Sequence, residues 1–201
     1  EYIPVEKVMT ADHLPIETHP WPPFIPEGAK VLVMGTFPPT PNRWSMDFYY
    51  PNRTNDFWFM MGLIMEGDRY AYYDTATRTF RLDRIKQLLT DKGIALNDTG
   101  RQIRRLKGNA SDKFLEIIRP VDLAALLARM PQCVAVATTG EKAAEVVASL
   151  TGTEAPKMGC MVRDARGLQL WRMPSTSRAY PLALEKKADY YRQLFESCNI
   201  I

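Results

Sequence analysis

Lys30-Val31-Leu32-Val33-Met34-Gly35-Thr36-Phe37-Pro38 decides the fold. An unbroken apolar run with no polar alternation fits a strand buried on both faces, the mark of a parallel sheet. The run stops at Gly35, and Thr36 to Asn55 follows as a twenty-residue loop rich in Pro, Asn and aromatic side chains. A loop that long inside a compact domain is usually functional. Phe57-Trp58-Phe59-Met60-Met61-Gly62-Leu63-Ile64-Met65 then reads as a helix, with Asn55 where a cap would stand. The same order recurs downstream. Val134-Ala135-Val136-Ala137 runs into Thr138-Thr139-Gly140, and a helix is predicted from Glu141 to Leu150. Arg84 to Thr90 reads as helical, Gly93-Ile94-Ala95-Leu96 as a short strand, and Asp122 to Arg129 as a helix with Leu123, Leu126 and Leu127 on one face. Leu168 to Met173 alternates as a strand and stops at Pro174, and a last helix runs from Ala183 to Cys198. Recurring strand–loop–helix units predict an α/β domain with a parallel sheet between helices. Its site belongs at the carboxyl ends of the strands, where loops 35–55, 138–141 and 174–181 converge.

The chain has 201 residues, 46% hydrophobic and 24% charged, which excludes a disordered chain and suits one domain over 1–201. Residues 1–28 read as a loop-rich arm, because His19-Pro20-Trp21-Pro22-Pro23-Phe24-Ile25-Pro26 cannot continue a helix or a central strand. No stretch approaches the ~20 apolar residues of a membrane span. The first residues lack the basic head and apolar run of a signal peptide. The chain starts at Glu1 rather than Met, so a segment upstream of it is expected to have been removed. Cys133, Cys160 and Cys198 are widely spaced and odd in number, neither a disulfide framework nor a CxxC pattern, so a reducing, cytoplasmic location is expected. Only His13 and His19 are present, which argues against a His-centred triad or a zinc site. No Lys-Ser/Thr follows the one P-loop-like glycine run. The net charge of +3 is unevenly spread: residues 1–50 carry 3 basic and 6 acidic groups, 51–108 carry 11 and 7, and 109–201 carry 12 and 10. The middle segment offers a local patch for phosphates.

Gly35-Thr36-Phe37-Pro38 after a strand, then Tyr49-Tyr50-Pro51-Asn52-Arg53-Thr54-Asn55-Asp56-Phe57-Trp58, resembles the first motif of the uracil-DNA glycosylase superfamily. Met173-Pro174-Ser175-Thr176-Ser177 is similar to its second motif, a strand-end loop that enters the minor groove. Gly93 to Asp98 and Thr139 to Ala143 stand where the family has comparable segments, so the match spans residues 19 to 198 in order. The hypoxanthine-DNA glycosylase branch is the nearest. The resemblance implies a three-layer α/β/α fold with a central, mainly parallel four-stranded sheet. It implies a monofunctional glycosylase that releases uracil or hypoxanthine and leaves an abasic site in base excision repair, without metal or organic cofactor. The expected partner is DNA carrying a damaged or deaminated base, met by a monomer. The chain departs from other branches at named positions. Phe37 stands where they place a catalytic Asp or Asn, Met173 stands where the classical uracil enzyme has His, and the iron–sulfur branches use four cysteines. Asn55 matches the Asn proposed to carry catalysis in the hypoxanthine branch. Phe37 and Met173 fit instead a relative that grips DNA, or another partner, without the chemistry. An enzyme acting on free nucleosides is a third possibility, and it would need no phosphate-gripping loop.

Physical chemistry assigns roles to the same residues. Releasing a base requires extruding it into a pocket with a stacking ring and polar groups for its edge. The resemblance places Tyr50 as that ring, against a reading in which it only packs. Asn55 can orient a water and steady an oxocarbenium-like centre by position and electrostatics, or serve only as a helix cap. Asp56 is the rival base, though a first-turn Asp more often answers the helix dipole. The Phe37 amide beside Thr36 can hold a carbonyl of the base. Ser175, Thr176 and Ser177 suit phosphates or merely turns, and Arg178 can fill the gap left by the base, pair with phosphate, or be an ordinary exposed Arg. Arg101, Arg104, Arg105 and Lys107 suit a DNA backbone or form a solvated helix face. Trp44 and Trp58 read as packing residues.

Overall fold

The computed structural model describes residues 13–107 and 111–201. Its strands are β1 (Glu17–Thr18), β2 (Val31–Gly35), β3 (Tyr73–Asp74), β4 (Thr79–Phe80), β5 (Ile94–Asp98), β6 (Gly100–Arg105), β7 (Leu115–Pro120), β8 (Ala135–Thr139), β9 (Met161–Arg163) and β10 (Gln169–Met173). Its α-helices are α1 (Phe57–Glu66), α2 (Leu82–Lys92), α3 (Leu123–Ala128), α4 (Glu141–Thr151) and α5 (Leu184–Ser197).

The apolar runs form the central sheet, in the order β5-β2-β8-β10-β9. β2, β5 and β8 are buried at every position, as strands covered on both faces must be. Along β2, Val31 and Val33 face one core and Leu32 and Met34 the other. The first core holds α1, α2 and α5 with most of the aromatic rings; the second holds α3 and α4. Three layers result, helices on both sides of the sheet. The sheet has five strands rather than four, because β9 adds an antiparallel edge beside β10, pairing Gln169 with Arg163 and Trp171 with Met161. The other four strands are parallel.

A three-stranded antiparallel sheet, β1-β6-β7, lies outside the sequence expectation. Its strands mix apolar and charged residues without strict alternation and slip register between Gly100 and Ile103, which hides the two-residue period. It also ties down the loop-rich arm, of which residues 1–12 lie outside the described residues. Glu17 pairs with Ile103, His19 donates its backbone amide to the Arg101 carbonyl at 2.8 Å, and Phe24 exchanges backbone bonds with Leu96. Residues 17–24 are therefore stitched to both sheets. Within α1, Gly62 answers a packing demand: a Cβ there would lie 2.5 Å from the Asp68 carbonyl oxygen. No helix among the described residues is long and apolar enough to cross a membrane.

Candidate active site

All four parallel strands end on one cleft of about 970 Å³, whose floor and walls include Gly35, Asp98, Thr139 and Met173. Loop residues 36–39, 50–52, 54–55 and 174–180 complete it, together with Ser111, Asp112 and Lys113 from before β7 and Lys142 from α4. At the floor, a Cβ on Gly35 would lie 3.0 Å from Asp98 Oδ1, 3.3 Å from Thr139 Oγ1 and 3.4 Å from the Tyr50 hydroxyl oxygen. Glycine at that strand end keeps this polar cluster together.

The two loops that carry the motifs are zipped to each other. The Asp56 amide donates to the Thr176 carbonyl at 2.7 Å and the Arg178 amide to the Thr54 carbonyl at 3.0 Å, with Asn55 opposite Ser177. Beneath this ladder lies a charge cluster. Asp56 Oδ1 accepts from Arg178 Nε at 3.1 Å, and its Oδ2 from Lys187 Nζ at 3.1 Å. Lys187 is 0% exposed and also donates to the Ser177 carbonyl at 2.9 Å. Arg178 reaches on to the Arg53 carbonyl at 3.0 Å. Held by two cations from the other loop and from α5, Asp56 serves as a clamp. Lys187 escaped the sequence reading, yet it falls on the apolar stripe of α5 with Leu184, Ala188, Tyr191 and Leu194, where an unpaired Lys would not be tolerated.

Asn55 lies on the cleft wall and accepts from the Phe57 amide through Oδ1 at 2.9 Å, while Asp56 is the formal cap residue of α1. Among the described residues, no acceptor takes the Asn55 side-chain amide. Tyr50 stands at φ 54°, a left-handed backbone that costs a bulky residue ~1–3 kcal/mol. Its ring stacks on Phe57 at 4.0 Å between centroids and 15° between planes, and its hydroxyl lies 3.5 Å from Thr139 Oγ1. Burial first, then the Asp98 carboxylate, holds its phenol well above the usual range. Phe37 packs edge-on against His19 at 5.3 Å, under the Arg105 guanidinium. Among the described residues, no acceptor takes the Phe37 backbone amide. Thr36 is buried and donates its hydroxyl to Asp112 Oδ2 at 3.0 Å.

Asp112 is the addition that sequence missed. It sits in a polar stretch with no periodicity, and only the turn before β7 brings it to the cleft. Burial pushes its carboxyl up to about 6, aided by the Asp98 charge and opposed by the Thr36 hydrogen bond and Lys142. Asp98 is itself held by His19 Nε2 at 2.7 Å, both side chains being buried.

The basic stretch is a strand, β6, not a helix, so its arginines divide between faces. Arg101 is exposed. Arg104 is half-buried, its Nε without a hydrogen-bond partner among the described residues. Arg105 is buried, paired with Glu17 at 2.8 Å and donating to the Pro38 carbonyl at 2.6 Å, so it braces the loop after β2. Ser175 and Ser177 serve the turn through their hydroxyls, accepting from the amides of Ser177 and Ala179. Thr176 is buried and Arg178 is exposed. Lys113 and Lys142 line the cleft although neither motif loop contains a lysine; Lys142 donates to the Leu115 carbonyl at 2.7 Å. Trp58 is buried on the Tyr49 carbonyl, and Trp44 packs on Trp21 at 4.7 Å. No group of three or more His, Cys, Asp or Glu with metal-binding geometry exists among the described residues.

No family model and no curated protein matches this sequence. The fold is similar to the solution NMR structure of a "putative Uracil DNA glycosylase" from Methanosarcina acetivorans, with a TM-score of 0.65 and 20% identity over 92% of this chain and 99% of that one. At that identity the likeness establishes the fold.

Proposed function

We infer that the cleft is the active site of a DNA glycosylase of the uracil-DNA glycosylase superfamily, close to its hypoxanthine branch. It releases uracil or hypoxanthine hydrolytically and leaves an abasic site, the first step of base excision repair. The observation that carries this reading is the Tyr50–Phe57 stack beside Asn55: a ring carried on a left-handed backbone and backed by a second ring, on the wall of a cleft at the strand ends. One face of Tyr50 rests on Phe57, and its other surface is a platform for an extruded base. The Phe37 amide is a donor for a base carbonyl, held in place by the Thr36 and Arg105 contacts. Asn55 presents its side-chain amide to the cleft and fixes the water and the developing positive sugar by position. Asp112 lies in the same cleft, and a carboxylate titrating near 6 is ionised at pH 7 and basic enough to take a proton from that water. Ser175, Thr176, Ser177, Arg178 and Arg101 grip the phosphates around the extruded nucleotide, with Arg104 beside them and Arg105 bracing from behind. Residues 1–201 act as one domain and as a monomer, in a reducing, cytoplasmic setting that suits three free thiols.

The second reading, a module that binds DNA or another partner without the chemistry, draws on one contact. Asn55 Oδ1 is taken by the Phe57 amide, which suits a cap. Oligonucleotides carrying uracil, hypoxanthine, xanthine or mismatched thymine separate the two. Alkali-labile abasic sites in the uracil or hypoxanthine strand support the enzyme, and binding without any base release supports the module.

A further inference from the structure

A second groove, of about 800 Å³, lies beside the cleft and shares Thr54 and Arg178 with it. Its far wall is the β3–β4 hairpin, which the sequence reading left without a role. The hairpin is anchored firmly. Tyr73 and Phe80 close on Phe59 of α1 at 5.0 and 5.8 Å, and Asp74 ties the turn by accepting from the amides of Ala76 and Thr77. Arg78 closes that turn at φ 56°, so a bulky cation is held at the rim in a backbone region that usually selects glycine or asparagine.

Every cation on the groove is an arginine: Arg53, Arg69, Arg78 and Arg178, against the carboxylates of Asp56 and Glu185. Arg178 is committed to Asp56, and Arg69 meets Glu185 at 3.0 Å. Arg53 and Arg78 are exposed, and among the described residues neither has a carboxylate within ion-pair distance. Tyr70, 47% exposed, adds an aromatic ring to the same groove. Planar forks that bind phosphate oxygens in pairs, alternating with aromatic faces, are the equipment of a nucleic-acid strand track.

We propose that this groove carries the nucleotides flanking the one whose base enters the cleft, with Arg53 and Arg78 on phosphates and Tyr70 on a base. The inference rests on the glycosylase reading, because the shared Thr54–Arg178 wall makes the groove the continuation of the cleft. An acidic peptide would find the same charges but has no reason to follow that wall.

The test uses the whole chain and duplexes containing a non-cleavable abasic analogue, extended nucleotide by nucleotide on either side. Binding should tighten with extension on one side only, and the Arg53→Gln/Arg78→Gln double variant should lose that gain. Two lost phosphate contacts lower the slope of log K against log salt by about 1.8, a change of ~12-fold in the variant's relative affinity between 50 and 200 mM. Both residues are exposed and outside the catalytic set, so base release from a short oligonucleotide should be unchanged. An unchanged salt slope, symmetric tightening, or a groove occupied by an acidic peptide that DNA does not displace overturns the inference while base release still stands. A wild-type chain that binds no DNA of any length overturns both.

Discussion

Replacing Asp56 with Asn tests the clamp between the two motif loops. The substitution keeps the shape but removes the only carboxylate among the described residues that meets Lys187, whose side chain is 0% exposed. What remains is one carbonyl, from Ser177 at 2.9 Å, and a neutral amide. Stranding a buried charge in this way costs about 3–5 kcal/mol. The Asp56 side chain is 12% exposed and Arg178 reaches it from an exposed position, so the lower end, about 3 kcal/mol, is expected. In a chain of this length that corresponds to a fall of roughly 6–12 °C in Tm. Lys187→Met is milder, at about 1–2 kcal/mol, because Asp56 then keeps Arg178 as a partner. The signs therefore cross: the double variant Asp56→Asn/Lys187→Met should be more stable than Asp56→Asn alone. Urea unfolding at pH 7 with m held common to all four proteins reads these differences. An Asp56→Asn protein within about 1 kcal/mol of wild type, or a double variant as unstable as the sum of the singles, refutes the reasoning.

Asp112 makes stability depend on pH with a definite sign. Folded, it keeps its proton up to about 6, whereas an unfolded Asp releases it near ~3.9. The folded state binds the extra proton within that window, so stability is full below it and falls by about 2–3 kcal/mol as pH rises through it. Asp112→Asn should remove that limb in denaturation at stepped pH, and the single-turnover rate of wild type should fall below pH 6 as the base is protonated. Arg101→Ala should lower the salt slope of DNA binding by about 0.9 with little change in stability. Arg105→Ala should do the reverse, destabilising by about 2 kcal/mol through the Glu17 and Pro38 contacts with an unchanged slope in a salt titration. Base release should persist in excess chelator, and loss of activity restored by zinc or iron contradicts that. Borohydride should trap no protein–DNA adduct: of the two lysines on the cleft, Lys142 has its ammonium engaged by the Leu115 carbonyl and Lys113 holds its own over the Phe114 ring.

The parallel strands were legible because burial on both faces leaves an uninterrupted apolar run. Val31–Gly35, Ile94–Asp98 and Ala135–Thr139 each fall within two residues of their sequence signal. The helix after Asn55 was equally plain, as was the convergence of loops at the strand ends. β6 and β7 were not legible, since strands of six residues with a slipped register and charged residues scattered along them mimic a solvated stretch. Of the site, the sequence showed the loops but not their partners. Lys187 is separated from Asp56 by 131 positions and Asp112 from Thr36 by 76, pairings that only tertiary structure creates. Lys187 left one trace, a charge on the apolar stripe of α5. Asp112 left none.

The role of Asn55 carries the account, and single-turnover base release by Asn55→Ala tests it most directly. Losing a group that orients the water should slow excision of uracil or hypoxanthine by ~100-fold, about 2.7 kcal/mol of barrier, with binding to abasic DNA nearly unchanged. Losing only the bond to the Phe57 amide should cost ~1 kcal/mol of stability and leave the rate of the folded protein intact. A variant that melts early but excises the base at the wild-type rate contradicts the account and leaves Asn55 a helix cap.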